Sequence, residues 1–280
     1  MIGGKIRTVV LLGLLSAMAI WIGSLWGGTG MTIAFVLVLV MNVSSYWFSD
    51  KIALSIYRAH PADRKKHARL IDIVQKTRKQ FDLPMPHVYI IPSESPNAFA
   101  TGRNPAHAAI ACTEGILGLL DDRELRGVIA HEMAHIRNRD TLIQTIAATI
   151  AGLISYAAMM ARWAAIFGGF GGRDQDGGNV LELLALAVVT PLIATIIQLA
   201  ISRSREYMAD ESAARTLHDG HALASALEKL ESSTQHRPMR MGTSATAHLF
   251  ITNPFKKMSS LLSTHPSTTE RVRRLRSLQV

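Results

Sequence analysis

The residues with the clearest chemical potential are the pentapeptide His131-Glu132-Met133-Ala134-His135. Histidines four positions apart lie on one face of a helix, so both imidazoles can bind one zinc ion at about 2 Å. Glu132 is rotated by about 100° from His131, which places it beside the metal as a general base for zinc-activated water. The pattern therefore predicts a helix with one hydrolytic zinc ion per chain. Two surface histidines on an ordinary helix are the competing interpretation, but they do not account for the intervening glutamate.

A catalytic zinc ion needs a third protein ligand and an open position for water. No third histidine follows at the metzincin spacing, so this ligand must come from elsewhere in the chain. Glu206 is the best candidate, and Asp210 lies one turn further on the same predicted face, where it can support a ligating histidine. Taken alone, both would more often belong to a solvated helix face. Asp140 has three open interpretations: a carboxylate that supports the site, a helix cap or a surface charge.

Apolar residues make up 48% of the 280-residue chain, more than a soluble core of this size needs. Residues 8–49 contain no charged side chain and are divided by a Gly-Gly-Thr-Gly break, which predicts a transmembrane hairpin within residues 1–50. The apolar runs 141–167 and 180–201 predict a second hairpin within residues 141–201. A cleaved signal peptide is the alternative for the first run, and a buried helix pair is the alternative for the second hairpin.

The formal net charge of +9 is concentrated beside these apolar runs. Lysine and arginine flank both predicted hairpins on one side, which predicts that both termini and the polar segments are cytoplasmic. No aromatic residues interleave with the basic clusters at 58–69 and 271–276, so an anionic lipid surface is favoured over nucleic acid as the partner.

The polar segments 51–140 and 202–280 are predicted to form one α+β domain. A basic amphipathic helix is expected over residues 61–81, with Leu70, Ile73, Val74 and Thr77 on its apolar face. Strands are expected at 87–91, 97–101 and 106–112, which together predict a small antiparallel sheet. Asp121 and Glu124 form a capping-box pattern that starts the helix of the His131 motif.

These motifs resemble the HtpX family of membrane-bound zinc metalloproteases, relatives of the CAAX prenyl endopeptidases within the gluzincin group. The resemblance covers nearly the whole chain. It rests on the two apolar pairs, Asn97-Ala98-Phe99, the His131 motif with Asp140, the segment from Glu206 to Asp210, and His265-Pro266. It implies a mostly helical zincin-like domain with four transmembrane helices, zinc ligation by His131, His135 and Glu206, and a catalytic Glu132.

Two further assignments depend on the resemblance. Asn97, Ala98 and Phe99 are implied to form an edge strand to which an extended substrate adds by backbone pairing. The sequence alone would place these residues in a hairpin with Phe99 in the core. His265 is implied to stabilise the oxyanion of the reaction, although a loop histidine before a capping box at Ser267 explains it equally well.

The resulting expectation is a zinc metalloendopeptidase of the bacterial inner membrane, part of a stress response, that cleaves damaged or misfolded membrane proteins. A prenyl-protein endopeptidase is the alternative within the enzyme class. A non-enzymatic membrane scaffold or chaperone with structural zinc is the alternative outside it. Structural zinc sites are usually closed by four protein ligands, whereas three ligands and Glu132 leave a place for water.

Overall fold

The computed structural model describes residues 53–140, 178–236 and 266–280, together with scattered residues elsewhere. The chain divides into two compact units. One comprises residues 1–45 and 144–201, and the other comprises residues 46–143 and 202–280. The second unit contains the sheet and all the candidate site residues that the structure describes.

The described elements begin with the two-residue strand β1 and continue through an α+β arrangement that is mostly helical. In chain order they are β1 (His60–Pro61), α1 (Ala68–Gln80), β2 (His87–Ile91), β3 (Ala98–Thr101), β4 (Ala109–Thr113), α2 (Glu114–Leu119), α3 (Asp122–Asn138), α4 (Gly178–Leu217), α5 (Gly220–His236) and α6 (Thr268–Ser277).

The sheet has the strand order β1-β2-β4-β3 and is mixed. β2 and β4 are parallel, whereas β1 pairs antiparallel with β2 and β3 pairs antiparallel with β4. The predicted antiparallel sheet is therefore wrong. The short apolar strand β4 is buried along its whole length, as is typical of a central strand. It lies between β2 and β3, so these two strands, although consecutive in the chain, do not pair with each other.

Helix α3 forms because the Asp121 side chain accepts from the Glu124 N–H while the Glu124 side chain accepts from the Asp121 N–H. This reciprocal capping box was predicted from the sequence. The helix ends at Arg139, whose left-handed backbone (φ 56°) lets its N–H bond back to the last turn.

Packing around α3 fixes its position in the second unit. It contacts α1, α5 and β3. Gly127 allows the close approach of α5, because a Cβ at this position would lie 2.8 Å from the Leu223 backbone nitrogen. The buried face of α1 consists of the four residues predicted from its periodicity: Leu70, Ile73, Val74 and Thr77.

The membrane-spanning prediction concerns residues that are mostly outside the described part of the chain. Residues 1–50 and 141–177 are described only at scattered positions, and the run 180–201 lies within α4. Among the helices formed by described residues, none combines the length and apolarity needed to cross a bilayer. The four spans stay a prediction.

Candidate metal centre

Helix α3 presents His131, Glu132 and His135 in the interior of the second unit. They are 1%, 2% and 9% exposed, so the motif is shielded from bulk water although all three residues are ionisable. Buried groups of this kind are normally paired or bound to a metal. The surface-histidine interpretation of the motif is therefore wrong.

The three predicted ligands meet at one point. The Nε2 atoms of His131 and His135 are 3.0 Å apart. Glu206 on α4 is 2% exposed; its Oε2 lies 3.5 Å from the His131 Nε2, and its Oε1 lies 3.5 Å from the His135 Nε2. This set could hold one metal ion.

The separations suit zinc. Ligand atoms about 2.1 Å from a tetrahedral ion lie roughly 3.4 Å from one another. The observed nitrogen–nitrogen and nitrogen–oxygen separations of 3.0 to 3.5 Å match this value closely. Two imidazoles and one carboxylate also form a donor set that zinc accepts, with a fourth position left for water or substrate.

Each histidine is oriented by a buried carboxylate on its other ring nitrogen. The Nδ1 atom of His131 is 2.9 Å from Asp210, and that of His135 is 2.8 Å from Asp140. Such contacts fix the ring orientation and leave Nε2 free to face a metal. Of the three interpretations of Asp140, the structure places it as the carboxylate partner of His135.

Two buried arginines complete the cluster, and the sequence alone does not predict the part they play. The Arg271 guanidinium donates to both carboxylate oxygens of Asp210, at 2.7 and 2.8 Å, and lies 3.3 Å from Glu206. Arg205 forms a buried ion pair with Asp140. Arg205 directly precedes Glu206 in the sequence, but the sequence alone does not distinguish a buried ion pair from a surface one, and Arg271 gives no such signal.

The charges of the described cluster favour a divalent cation. Four carboxylates, from Glu132, Asp140, Glu206 and Asp210, face two arginine cations, which leaves two negative charges. Burial lowers the pKa of His131, but the adjacent carboxylates of Asp210 and Glu206 outweigh it and raise this pKa to about 9. The same negative field that stabilises a proton on His131 stabilises a metal cation beside it.

Glu132 lies next to the cluster and contacts the sheet. Its carboxylate accepts a hydrogen bond from the Ala100 backbone N–H of β3. Burial raises the pKa of Glu132, against the lowering effect of the two nearby histidines. A carboxylate with a raised pKa is a stronger proton acceptor, which is the property that a general base requires.

The predicted substrate segment forms the end of the sheet nearest Glu132. Ala98 and Phe99 lie in the edge strand β3 and Asn97 precedes it; all three are fully buried. The Ala98 carbonyl accepts a hydrogen bond from the Ile251 N–H at 3.3 Å. The alternative position of Phe99 in a hydrophobic core also describes the structure, because Phe99 packs near Tyr57 and Ile91. His265 lies outside the described residues.

This arrangement is that of a metallopeptidase with the His-Glu-x-x-His motif. The chain belongs to peptidase family M48, whose profile matches residues 64–279. "Protease HtpX homolog" of Syntrophobacter fumaroxidans is 53% identical over 283 residues, covering 99% of this chain and 100% of that protein. The protein of the same description from Pyrococcus furiosus is 50% identical and covers 99% of this chain and 96% of its own. The HtpX resemblance is confirmed.

A solved structure is similar in fold. The crystal structure of S. mikatae Ste24p aligns with a TM-score of 0.61 and 18% sequence identity. The alignment covers 98% of this chain and 66% of that chain. At this identity the similarity supports the fold and says nothing about the substrate.

Proposed function

We propose that this protein is a membrane-bound zinc endopeptidase that cleaves damaged or misfolded membrane proteins at the cytoplasmic face of a bacterial inner membrane. The observation that carries the proposal is the joining of His131, His135 and Glu206 within 4.8 Å of one another beside the buried Glu132. The residues come from two distant parts of the chain, and their donor atoms suit one zinc ion.

The chain's own groups have distinct roles in the proposed hydrolysis. Bound zinc would activate a water molecule and polarise the scissile carbonyl. Glu132 takes a proton from the attacking water as the new carbon–oxygen bond forms, and then transfers it to the leaving nitrogen as the carbon–nitrogen bond breaks. Asp210 and Asp140 hold the two histidines in position, and Arg271 and Arg205 hold the two aspartates.

The edge strand β3 supplies the proposed binding line for substrate. Its N–H and C=O groups lie beside Glu132, and backbone pairing binds any extended chain regardless of side-chain sequence. An enzyme that selects for unfolded segments rather than for one sequence needs this kind of recognition. His265 stays a candidate for oxyanion stabilisation.

The assignment to a membrane is supported by the apolar runs and by exposed apolar side chains in the first unit. Several large apolar side chains on α4 are more than 40% exposed; they are Val188, Val189, Leu192, Ile193 and Ile196. An apolar surface of this kind is normal in lipid and rare in water. Residues 1–50 and 141–201 are accordingly proposed as two hairpins, and residues 51–140 and 202–280 as the cytoplasmic protease domain.

The function can be tested with the full-length protein in detergent and in liposomes. Zinc content and cleavage are measured for the wild type, Glu132→Gln and Glu206→Gln, with Glu211→Gln as the matched control. Glu211 lies on the same helix but is exposed and pairs with Arg215. We expect Glu132→Gln to keep zinc and lose cleavage, Glu206→Gln to lose both, and the control to keep both. Undiminished cleavage by Glu132→Gln would contradict the mechanism.

The substrate class needs a separate comparison. A misfolded membrane protein reconstituted with the enzyme, a denatured soluble protein and a prenylated peptide are offered at equal concentration. Faster cleavage of the membrane protein is expected, since both parts of the site adjoin apolar runs. Exclusive cleavage of the soluble protein would overturn the substrate assignment, and exclusive cleavage of the prenylated peptide would favour the alternative enzyme.

The topology is testable because Cys112, the single cysteine, is buried. New cysteines at Gly172 and at the exposed Gln279 can be labelled in intact cells with a membrane-impermeant maleimide. We expect labelling of Gly172→Cys alone, because the predicted loop lies outside and the C-terminus inside. Labelling of Gln279→Cys would reverse the proposed orientation.

A further inference from the structure

The main chain of Ile251 is held at two points inside the second unit. Its N–H donates to the Ala98 carbonyl at 3.3 Å, and its carbonyl accepts from the Arg271 Nη1 at 2.9 Å. Ile251 is 2% exposed. It therefore joins the edge strand β3 to the arginine that supports Asp210 and Glu206.

Ala98 offers its carbonyl on the side of β3 that faces away from the sheet. The Asn97 carbonyl accepts from the Thr113 N–H of β4, so Asn97 faces into the ladder. Backbone groups alternate in direction along a strand, which turns Ala98 and Ala100 toward the free edge. The contacts agree with this, because Ile251 bonds to Ala98 and the Glu132 carboxylate bonds to Ala100.

Ile251 and the general base are thus neighbours along one edge. Ala98 and Ala100 are two residues apart, a separation of about 7 Å in an extended strand. A peptide that pairs with this edge would bring its backbone past Glu132, and its N–H opposite Ala98 would need the carbonyl that Ile251 now uses. The N–H of the substrate and the N–H of Ile251 therefore cannot occupy the same position on the Ala98 carbonyl at one time.

We propose that Ile251 holds the place of a substrate residue in the resting enzyme, and that an incoming peptide displaces it. The peptide then takes over both backbone anchors, the Ala98 carbonyl and the Arg271 guanidinium. This inference rests on the proposed function, since it assumes that β3 is the substrate-binding edge. It adds Arg271 as a substrate-binding residue and gives the protease an internal competitor.

The side chain of Ile251 indicates what this position accepts. It belongs to the apolar cluster that also contains Ala98, Ala130 and Val272. A substrate residue that takes the place of Ile251 therefore carries an aliphatic side chain, because burying an unpaired charge there is costly. Aliphatic residues are concentrated in membrane-spanning segments, which agrees with the proposed substrate class.

An attached competitor also explains selectivity for unfolded chains. A tethered segment has a high effective concentration at its own site, so a short or weakly extended peptide competes poorly. A longer unfolded segment makes additional backbone hydrogen bonds along β3 and can therefore displace Ile251. Folded proteins, which cannot offer an extended strand, are excluded.

The decisive variant is Ile251→Pro, which removes the N–H that bonds to Ala98. Ile251→Val is the matched control, because it keeps both the N–H and a β-branched apolar side chain. With denatured casein below saturation, we expect kcat/KM to rise about two- to tenfold for the proline variant, the factor equivalent to losing one hydrogen bond. The valine variant stays within about twofold of the wild type.

An unchanged or lower kcat/KM in a folded, zinc-loaded Ile251→Pro enzyme would overturn the proposal and make Ile251 a permanent part of the site. This failure differs from that of the proposed function, in which wild type and Glu132→Gln would already cleave equally. Zinc content and the thermal unfolding midpoint establish that the variant is folded and loaded.

A second measurement decides the matter if the proline variant does not fold. A synthetic peptide of residues 247–255, AHLFITNPF, is added to the wild-type enzyme, and an otherwise identical peptide carries Asp in place of Ile251. We expect the natural peptide to inhibit casein cleavage competitively at least about tenfold more strongly than the Asp peptide, because a charge is excluded from the apolar site. Equal potency of the two peptides, or no inhibition by either at millimolar concentration, would refute displacement.

Discussion

Helix α3 buries two glutamates, one in its first turn and one in its second half, and their environments are opposite. Glu124 is 4% exposed and accepts hydrogen bonds from Ser225 at 2.6 Å, Lys229 at 2.8 Å and the Asp121 N–H at 3.1 Å. Glu132, about 12 Å further along the axis, accepts from the Ala100 N–H beside the candidate metal ligands His131, His135 and Glu206.

The pKa values follow from these partners. Burial raises the pKa of Glu124, but Lys229 and Ser225 outweigh it and hold this pKa below its ordinary value. For Glu132 burial dominates and the pKa is raised. The comparison shows that burial alone does not identify a reactive carboxylate. A carboxylate satisfied by donors stabilises the helix, whereas one that keeps proton affinity can do chemistry.

Replacing Glu132, the reactive glutamate, should have the largest effect on catalysis. In Glu132→Gln the amide keeps the size of the side chain but cannot accept a proton, so we expect kcat to fall about 10²- to 10⁴-fold. Zinc content and the unfolding midpoint should stay at wild-type values. Steady-state cleavage and elemental analysis of one preparation measure all of these, and loss of zinc would show that Glu132 supports the metal directly.

Replacing Asp210 or Asp140, the carboxylates that contact the Nδ1 atoms of the ligating histidines, should have the next largest effect. Asp210→Asn and Asp140→Asn each remove the charge that orients a ligating imidazole, so we expect zinc affinity to fall about 10- to 100-fold. Competition with a chromophoric chelator measures it. Glu211→Gln, on the same helix as Asp210, serves as the control. Affinity unchanged in both aspartate variants would mean that the cluster holds the histidines without them.

Replacing Glu124, the structural glutamate, should lower the stability of the fold and leave the catalytic activity unchanged. Glu124→Gln loses the ion pair with Lys229 while glutamine can still complete a capping box, so we expect a destabilisation of about 1–2 kcal/mol. Activity per folded molecule and zinc content should not change. Glu228→Gln, which breaks an exposed pair with Arg276, is the control and should change stability by less than about 0.5 kcal/mol. A large loss of activity in Glu124→Gln would contradict the distinction between a structural Glu124 and a reactive Glu132.

Acidification should produce the smallest and most specific effect. Because the pKa of Glu124 is lower in the folded protein than the unfolded value of about 4.3, its stabilisation is complete above that pH and is lost below it. We expect the difference in unfolding midpoint between wild type and Glu124→Gln to narrow as the pH falls from 6 to 3. A difference that widens over this range would show that the assigned pKa direction is wrong.

Local patterns of sequence predicted the parts of the site that lie on α3. The four-residue spacing places His131 and His135 on one helical face whatever surrounds the helix, and the reciprocal bonds of Asp121 and Glu124 need only four consecutive residues. Glu206 was found by a requirement of zinc chemistry for a third ligand. The apolar face of α1 followed from its periodicity, because burial of one face needs no knowledge of the partner.

The sheet shows where such patterns are insufficient. β2, β3 and β4 were expected near their observed positions, and their antiparallel pairing is correct for β3 with β4. β1 was not predicted, and the parallel pairing of β2 with β4 was missed, because strand order depends on which apolar strand becomes central. The partners of the buried charged residues could not be predicted from the sequence either. Arg271 lies 61 positions from Asp210 in sequence, and Arg205 lies 65 positions from Asp140. A charged residue looks the same in sequence whether it is solvated or paired in the interior.

By itself, then, the sequence determined the reactive helix, its ligand spacing and its start, since helical geometry and capping depend on residues a few positions apart. Tertiary structure alone decided that β3 lies against Glu132, that two arginines balance two of four buried carboxylates, and that Ile251 bonds to the Ala98 carbonyl. These features depend on the packing of elements distant in the chain, which brings together backbone and charged groups that no local pattern connects.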